Sequence, residues 1–327
     1  MVSIAVIGAG RIGCIHARNI ARHPRATLAG VADPDAAAAG ALAAECGATA
    51  LSIDEVFAAP AVLIASPTPT HADYIERAAA AGRAVFCEKP VDLSAERVRA
   101  CLQAVERAGV PLMVGFNRRF DPSFASLQRR LAGGEIGALE LLTITSRDPA
   151  PPPASYVAQS GGLFRDMMIH DLDMARFLLN EEPTSVYAVG SALVDAAIGA
   201  AGDVDTAVVT LRTASGRICQ ISNSRRATYG YDQRIEAHGA TGLLRAGNMT
   251  STTVESACAG GFTTGPALPF FLERYEAAYR AELDAFVAAV LDGGPAGPTG
   301  EDGLRALLLA DAATESVRTG LPVRPGR

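Results

Sequence analysis

The chain has 327 residues, 49% hydrophobic and 20% charged, with a formal net charge of −6. This fits a globular protein with a sizeable core and room for two domains. The acidic balance, with Arg129–Arg130 and Arg225–Arg226 as short basic pairs, argues against a nucleic-acid partner, and no uncharged apolar run reaches the ~20 residues of a membrane span.

Val2–Ile7 reads as a short β-branched strand. It runs into Gly8-Ala9-Gly10-Arg11-Ile12-Gly13 and then a helical pattern to about Arg22. This is GxGxxG between a strand and a helix, the context that a dinucleotide pyrophosphate needs. The glycines permit a tight turn, close approach of phosphate and close helix–strand packing, and the helix N-terminus offers free N–H groups. A glycine-rich turn without a ligand is the alternative. A second strand, Thr27–Ala32, ends at Asp33, twenty residues after Gly13. An acid there accepts hydrogen bonds from ribose hydroxyls and repels a 2′-phosphate, which points to NAD rather than NADP. Asp33 could also simply begin the turn Asp33-Pro34-Asp35.

Helix and strand keep alternating: helix at Asp35–Cys46 and Ile53–Ala58, strand at Ala61–Ala65, helix at Ala72–Ala81, strand at Ala84–Cys87, helix at Ser94–Ala108 with Ser94 as N-cap, strand at Pro111–Gly115. That order implies a doubly wound parallel sheet, whose ligands bind beyond the carboxyl ends of the strands. Ser66–His71, Glu88-Lys89-Pro90 and Asn117-Arg118-Arg119 fall at such ends. Each could be ordinary loop chemistry; three together indicate a site.

After a helix at Phe120–Leu131, the pattern turns to strands at Leu139–Ser146, Thr184–Val194, Thr206–Thr213, Arg217–Arg225 and Gln233–Gly239. Between the first two of these strands, Gly161–Asn180 reads as one helix, with Asp166 and His170 four residues apart on one face and Asp173 a turn later. On a largely apolar helix, such a pair is either a satisfied structural pair or a base held by an acid. Gly260–Pro269 reads as a flexible loop; Phe271–Leu291 and Gly303–Thr319 read as long helices.

Six cysteines are scattered without a CxxC, so free thiols in a reducing cytoplasm are expected, and Met1–Ile7 is too short to be a signal peptide. His16, His23, His71 and His238 are separated in sequence and lack a matching carboxylate cluster, so no metal is expected.

GAGRIG at 8–13, SPTPTH at 66–71, EKP at 88–90 and GFNRRFD at 115–121 resemble, in order and spacing, the landmarks of the Gfo/Idh/MocA family of NAD(P)-dependent sugar and polyol oxidoreductases, and GGLFRDMMIHDLDMARFLL at 161–179 resembles its inositol dehydrogenase branch. The resemblance implies an α/β fold: a Rossmann domain over 1–119, then an α+β domain over 120–327 with an open, largely antiparallel sheet that often builds oligomers, here a homotetramer. Cofactor contacts are expected from Gly8, Gly10, Arg11, Ile12, Gly13, Asp33, Ser66, Thr68, His71, Glu88, Lys89 and Asn117. His170 is the expected base, Asp166 its orienting partner and Lys89 the donor to the reacting oxygen, with a cis bond before Pro90 aiming Lys89. Asp148, Tyr229 and Tyr231 join Lys89, Asp166 and His170 as expected contacts to a neutral polyol. The implied reaction is NAD-dependent oxidation of a secondary alcohol, myo-inositol to its 2-keto product. The alternatives are a scyllo-inositol, pyranose or other polyol dehydrogenase, and a non-catalytic NAD-binding regulator, which should have lost the Lys, Asp and His.

Overall fold

The computed structural model describes residues 1–326. The chain divides into two compact units: Met1–Phe120 with Ala278–Leu307, and Asp121–Ala277 with the described residues from Leu308 onward. The sequence reading kept everything after residue 119 together; the segment 278–307 instead belongs with the first unit, because its apolar face completes that unit's core.

The first unit holds β1 (Val2–Ile7), α1 (Arg11–Arg22), β2 (Ala26–Ala32), α2 (Ala36–Glu45), β3 (Thr49–Ala50), β4 (Ala61–Ile64), α3 (His71–Ala80), β5 (Ala84–Glu88), α4 (Ala95–Ala108) and β6 (Leu112–Gly115). The six strands form one parallel sheet in the order β3-β2-β1-β4-β5-β6. The order reverses beside β1, so the loops after β1 and β4 diverge there and leave room for a ligand. Continuous apolar runs are buried on both faces, as a parallel sheet requires. The short helix expected at Ile53–Ala58 is a 3₁₀ turn at Glu55–Ala58.

The second unit holds α5 (Pro122–Ala132), β7 (Leu139–Arg147), α6 (Ala154–Ser160), α7 (Gly162–Asp166), α8 (Ile169–Leu179), β8 (Pro183–Ser191), α9 (Ala196–Ala200), β9 (Thr206–Thr213), β10 (Ile218–Ser224), β11 (Asp232–Gly239), β12 (Gly242–Ala246), β13 (Glu255–Cys258), β14 (Gly261–Thr264) and α10 (Phe271–Arg274). Its main sheet runs β12-β11-β7-β10-β9-β8, antiparallel except for the parallel pair β7–β10. Strand residues alternate buried and exposed, the mark of a sheet with one face packed. The segment Gly260–Pro269, expected as a loop, contributes β14, which pairs with β13 as an exposed hairpin.

The last helices are α11 (Glu276–Asp292) and α12 (Gly300–Thr319). Leu283, Phe286 and Val287 of α11 pack with Ile4, Ala17, Leu63 and Phe86 in the first core. The expected single helix Phe271–Leu291 is interrupted at Tyr275, whose φ of −112° lies outside the helical range.

Candidate active site

In the first unit, sterics dictate the glycine turn. A Cβ on Gly13 would stand 1.9 Å from the Gly8 carbonyl oxygen, and one on Gly8 would stand 2.5 Å from the Ala65 carbonyl oxygen. Both glycines are therefore required by the fold itself. Gly10 differs: a Cβ there would meet no heavy atom of the protein within 4 Å. It is also the N-cap of α1 and supplies no side-chain cap. The positive end of the helix dipole there favours an anion. The Asp33 carboxylate accepts from Ala9 N at 2.7 Å and from Asp35 N at 2.8 Å. Asp33 starts its own turn, as one of its two readings has it, and also reaches the glycine loop. These residues fit a dinucleotide: the backbone donors suit its pyrophosphate and the acid suits its ribose.

At the ends of β4 and β5, the expected residues are stapled together. His71 is buried, with Nε2 2.6 Å from the Ser66 carbonyl oxygen and Nδ1 2.8 Å from that of Pro90. Burial lowers its pKa, while the two carbonyls oppose that shift. The ring ties the Ser66–Thr70 turn to the Lys89–Pro90 bond, which is cis. Ser66 Oγ lies 2.7 Å from Thr70 Oγ1, and Thr68 opens the 3₁₀ turn that leads into α3. Lys89 follows the end of β5 and is half-buried. Asn117 is buried, and its Oδ1 has no hydrogen-bond partner among the described residues.

Glu88 turns inward. Its Oε1 lies 2.8 Å from His16 Nε2, and His16 Nε2 lies 3.9 Å from Glu282 Oε1. His16, Glu88 and Glu282 are all buried, with ligand atoms within 4.8 Å of one another, an arrangement able to hold a metal ion. The expectation that His16 lacks a carboxylate cluster is therefore corrected: residues 16, 88 and 282 meet only through the tertiary fold. Burial, reinforced by the charge of Glu88, drives the Glu282 pKa well up.

In the second unit, the expected continuous helix Gly161–Asn180 divides into α7 and α8. Met168 N bonds to Leu163 O at 2.9 Å, a five-residue step that widens the turn between them. Asp166 closes α7 and His170 lies at the start of α8, both half-buried. Asp173 is buried and pairs with Arg176 at 3.8 Å. Gly162 has φ +81°, and a Cβ there would strike Asp203 at 2.5 Å; the Asp203 carboxylate accepts from Leu163 N at 3.0 Å and so pins the start of α7. The Arg225 guanidinium reaches Asp166 at 3.2 Å and Asp148 at 3.7 Å, bringing two expected substrate residues together. Sequence reasoning missed Arg225; the only signal was a basic pair at the end of a predicted strand. It also missed buried Asp171, which accepts from Asn223 Nδ2 at 3.0 Å.

The two expected tyrosines separate. Tyr229 is exposed, and its hydroxyl donates to Asp232 at 2.7 Å. Desolvation and then Asp232 raise its pKa. Tyr231 is 4% exposed, with its ring edge-on to Phe270 and Tyr275 at centroid distances of 6.1 Å.

Residues 2–116 match the description "Oxidoreductase family, NAD-binding Rossmann fold", and residues 124–245 match "GFO/IDH/MocA C-terminal domain". An inositol 2-dehydrogenase of Rhizobium meliloti is 54% identical over 97% of this chain and 97% of its own. A crystal structure of a myo-inositol dehydrogenase from Corynebacterium glutamicum superimposes with a TM-score of 0.96 at 48% identity, covering 100% of this chain and 99% of that one. A scyllo-inositol dehydrogenase from Lactobacillus casei, solved with NAD(H) and scyllo-inositol, has a TM-score of 0.92 at 30% identity over 99% of each chain.

Proposed function

The chain belongs to the Gfo/Idh/MocA oxidoreductase family, and from that premise we propose that it is an NAD-dependent inositol 2-dehydrogenase, oxidising myo-inositol to 2-keto-myo-inositol. The observation that carries this reading is the match to an inositol 2-dehydrogenase at 54% identity across 97% of both chains.

Bound NAD supplies a hydride acceptor, leaving the protein to orient the alcohol and take its proton. His170 is the proposed base that accepts the hydroxyl proton as the carbonyl forms. Asp166 orients the imidazole and stabilises it once charged. The Lys89 ammonium donates to the reacting oxygen and stabilises developing alkoxide charge. Asp148, Tyr229 and Tyr231 are the proposed further contacts to the polyol, the packed Tyr231 ring also anchoring its loop.

NADH formation across myo-, scyllo- and chiro-inositol, glucose, galactose and xylose tests the reading. Turnover led by myo-inositol supports it, and turnover led by scyllo-inositol moves the preference to that isomer. Turnover led by an aldose discards the inositol assignment; NAD binding without turnover of any of them favours a regulator. A Lys89→Ala variant that keeps full activity removes Lys89 from the mechanism.

We further propose a cytoplasmic homotetramer. One face of the second sheet exposes Leu141, Tyr187, Val189, Val208, Ile218 and Leu243, an apolar surface suited to a second copy. No helix among the described residues is long and apolar enough to cross a membrane, and the six cysteines are free thiols, as a reducing compartment maintains. Light scattering that finds a stable monomer, or fractionation that places the protein outside the cytoplasm, would refute the corresponding part.

A further inference from the structure

We infer that Arg225 is a positioning residue of the dehydrogenation, holding Asp166 and Asp148 in one fixed arrangement; this rests on the function proposed above. Its side chain is 4% exposed, and the two carboxylates it reaches are 18% and 19% exposed. Nη2 lies 3.2 Å from Asp166 Oδ2, and Nη1 lies 3.7 Å from Asp148 Oδ2. Two neighbouring carboxylates repel, and a buried guanidinium without acids would be left uncompensated, so the three groups stabilise one another as a set.

The backbone holds the same set. Asp148 N donates to the Ser224 carbonyl at 3.0 Å, and Arg225 N donates to the Asp205 carbonyl at 2.9 Å. The buried Asp205 carboxylate accepts from Leu193, Val194 and Asp195 N at 2.8, 2.9 and 2.9 Å. Two residues earlier, Asp203 pins the start of α7, whose last residue is Asp166. One short segment, residues 203–205, therefore holds both the backbone of Arg225 and the start of the helix that carries its partner. By holding Asp166 Oδ2, Arg225 sets where Asp166 Oδ1 points, and hence how Asp166 can orient the base. A guanidinium presents two donors in one rigid plane, so lysine, a single point charge, cannot hold both acids alike.

The test compares wild type, Arg225→Met and Arg225→Lys with myo-inositol and with myo-inositol deuterated at C2, NAD-binding stoichiometry giving the active fraction. In R225M we expect kcat per active site to fall by about 10²-fold, the scale of a slightly misplaced reacting group, and the deuterium isotope effect on kcat to rise as chemistry becomes limiting. R225K should recover about tenfold of that loss. A merely structural arginine would lower the folded fraction and leave the isotope effect unchanged; that result overturns the proposal. If R225M does not fold, R225K decides: wild-type kcat with a wild-type isotope effect is equally fatal. Wild-type protein that oxidises none of the inositols refutes the proposed function instead, before either variant is compared.

Discussion

The two units prepare their residues by different physics. In the first, the backbone does it: Gly8 and Gly13 allow chain segments to approach where any Cβ would collide, and α1 starts at Gly10 with no side-chain cap. In the second, side-chain charge does it: Arg225 gathers Asp148 and Asp166, while Asp203 and Asp205 tie the supporting loops. A steric device is local and rigid, and it fails outright when a methyl group is added. A charge network is assembled from distant segments and fails by degrees, through misorientation. The difference teaches that substitutions in the glycine turn should act on folding and cofactor affinity, and those around Arg225 on turnover.

The sharpest test of that contrast lies within the glycine turn itself. Gly13→Ala should cost at least about 3 kcal/mol in denaturant unfolding, because the intruding carbon meets backbone rather than a movable side chain. Gly10→Ala, at φ −72° with open space around it, should stay within about 1 kcal/mol of wild type yet bind NAD more weakly in a fluorescence titration. Equal stability losses in the two would break the comparison. In the second unit, His170→Asn should lower kcat about 10²- to 10⁴-fold while NAD affinity holds, the range of a lost general base.

A smaller effect is expected from the buried acid cluster of the first unit. Burial raises the Glu282 pKa well above 4.5, so the folded state keeps a proton that the unfolded chain releases above pH 4.5. Glu282 therefore costs stability increasingly as pH rises from there through its folded pKa. His71 acts with the opposite sign: its pKa is lowered from 6.5, so its contribution is lost as pH falls below that value. Glu282→Gln, neutral at every pH, should flatten the decline of Tm above pH 4.5; a Tm–pH curve parallel to wild type would remove Glu282 as its cause. The least perturbing test is thiol labelling. Cys258 is exposed and should react first with iodoacetamide, whereas Cys87, Cys101 and Cys219 are buried with raised pKa, Cys101 to about 12, and should stay protected until unfolding.

Much of the fold was legible because it is written at short range. Val2–Ile7 and Thr206–Thr213 occur as the sequence pattern delimits them, and Ser94 caps α4 by accepting from Arg97 N at 3.4 Å. Spacing from the glycine turn singles out Asp33, which does accept from Ala9 N, and the place after a sheet strand singles out Lys89. The break at Met167–Met168 was not legible, since both residues are good helix formers and no proline or glycine marks the change. Nor was the β13–β14 hairpin, whose Gly/Thr-rich strands lack an apolar alternation.

The sequence by itself determined the alternation of helix and strand, the glycine turn and the residue types available for proton and hydride chemistry, because propensity, periodicity and steric exclusion act over a few neighbouring residues. Only the tertiary structure decided that Arg225 lies between Asp148 and Asp166, that His16 meets Glu88 and Glu282, and that Tyr231 packs inward while Tyr229 is exposed. Those outcomes depend on charges and rings brought together from far apart in the chain, and on burial, which makes a charge costly enough that its partner must be chosen.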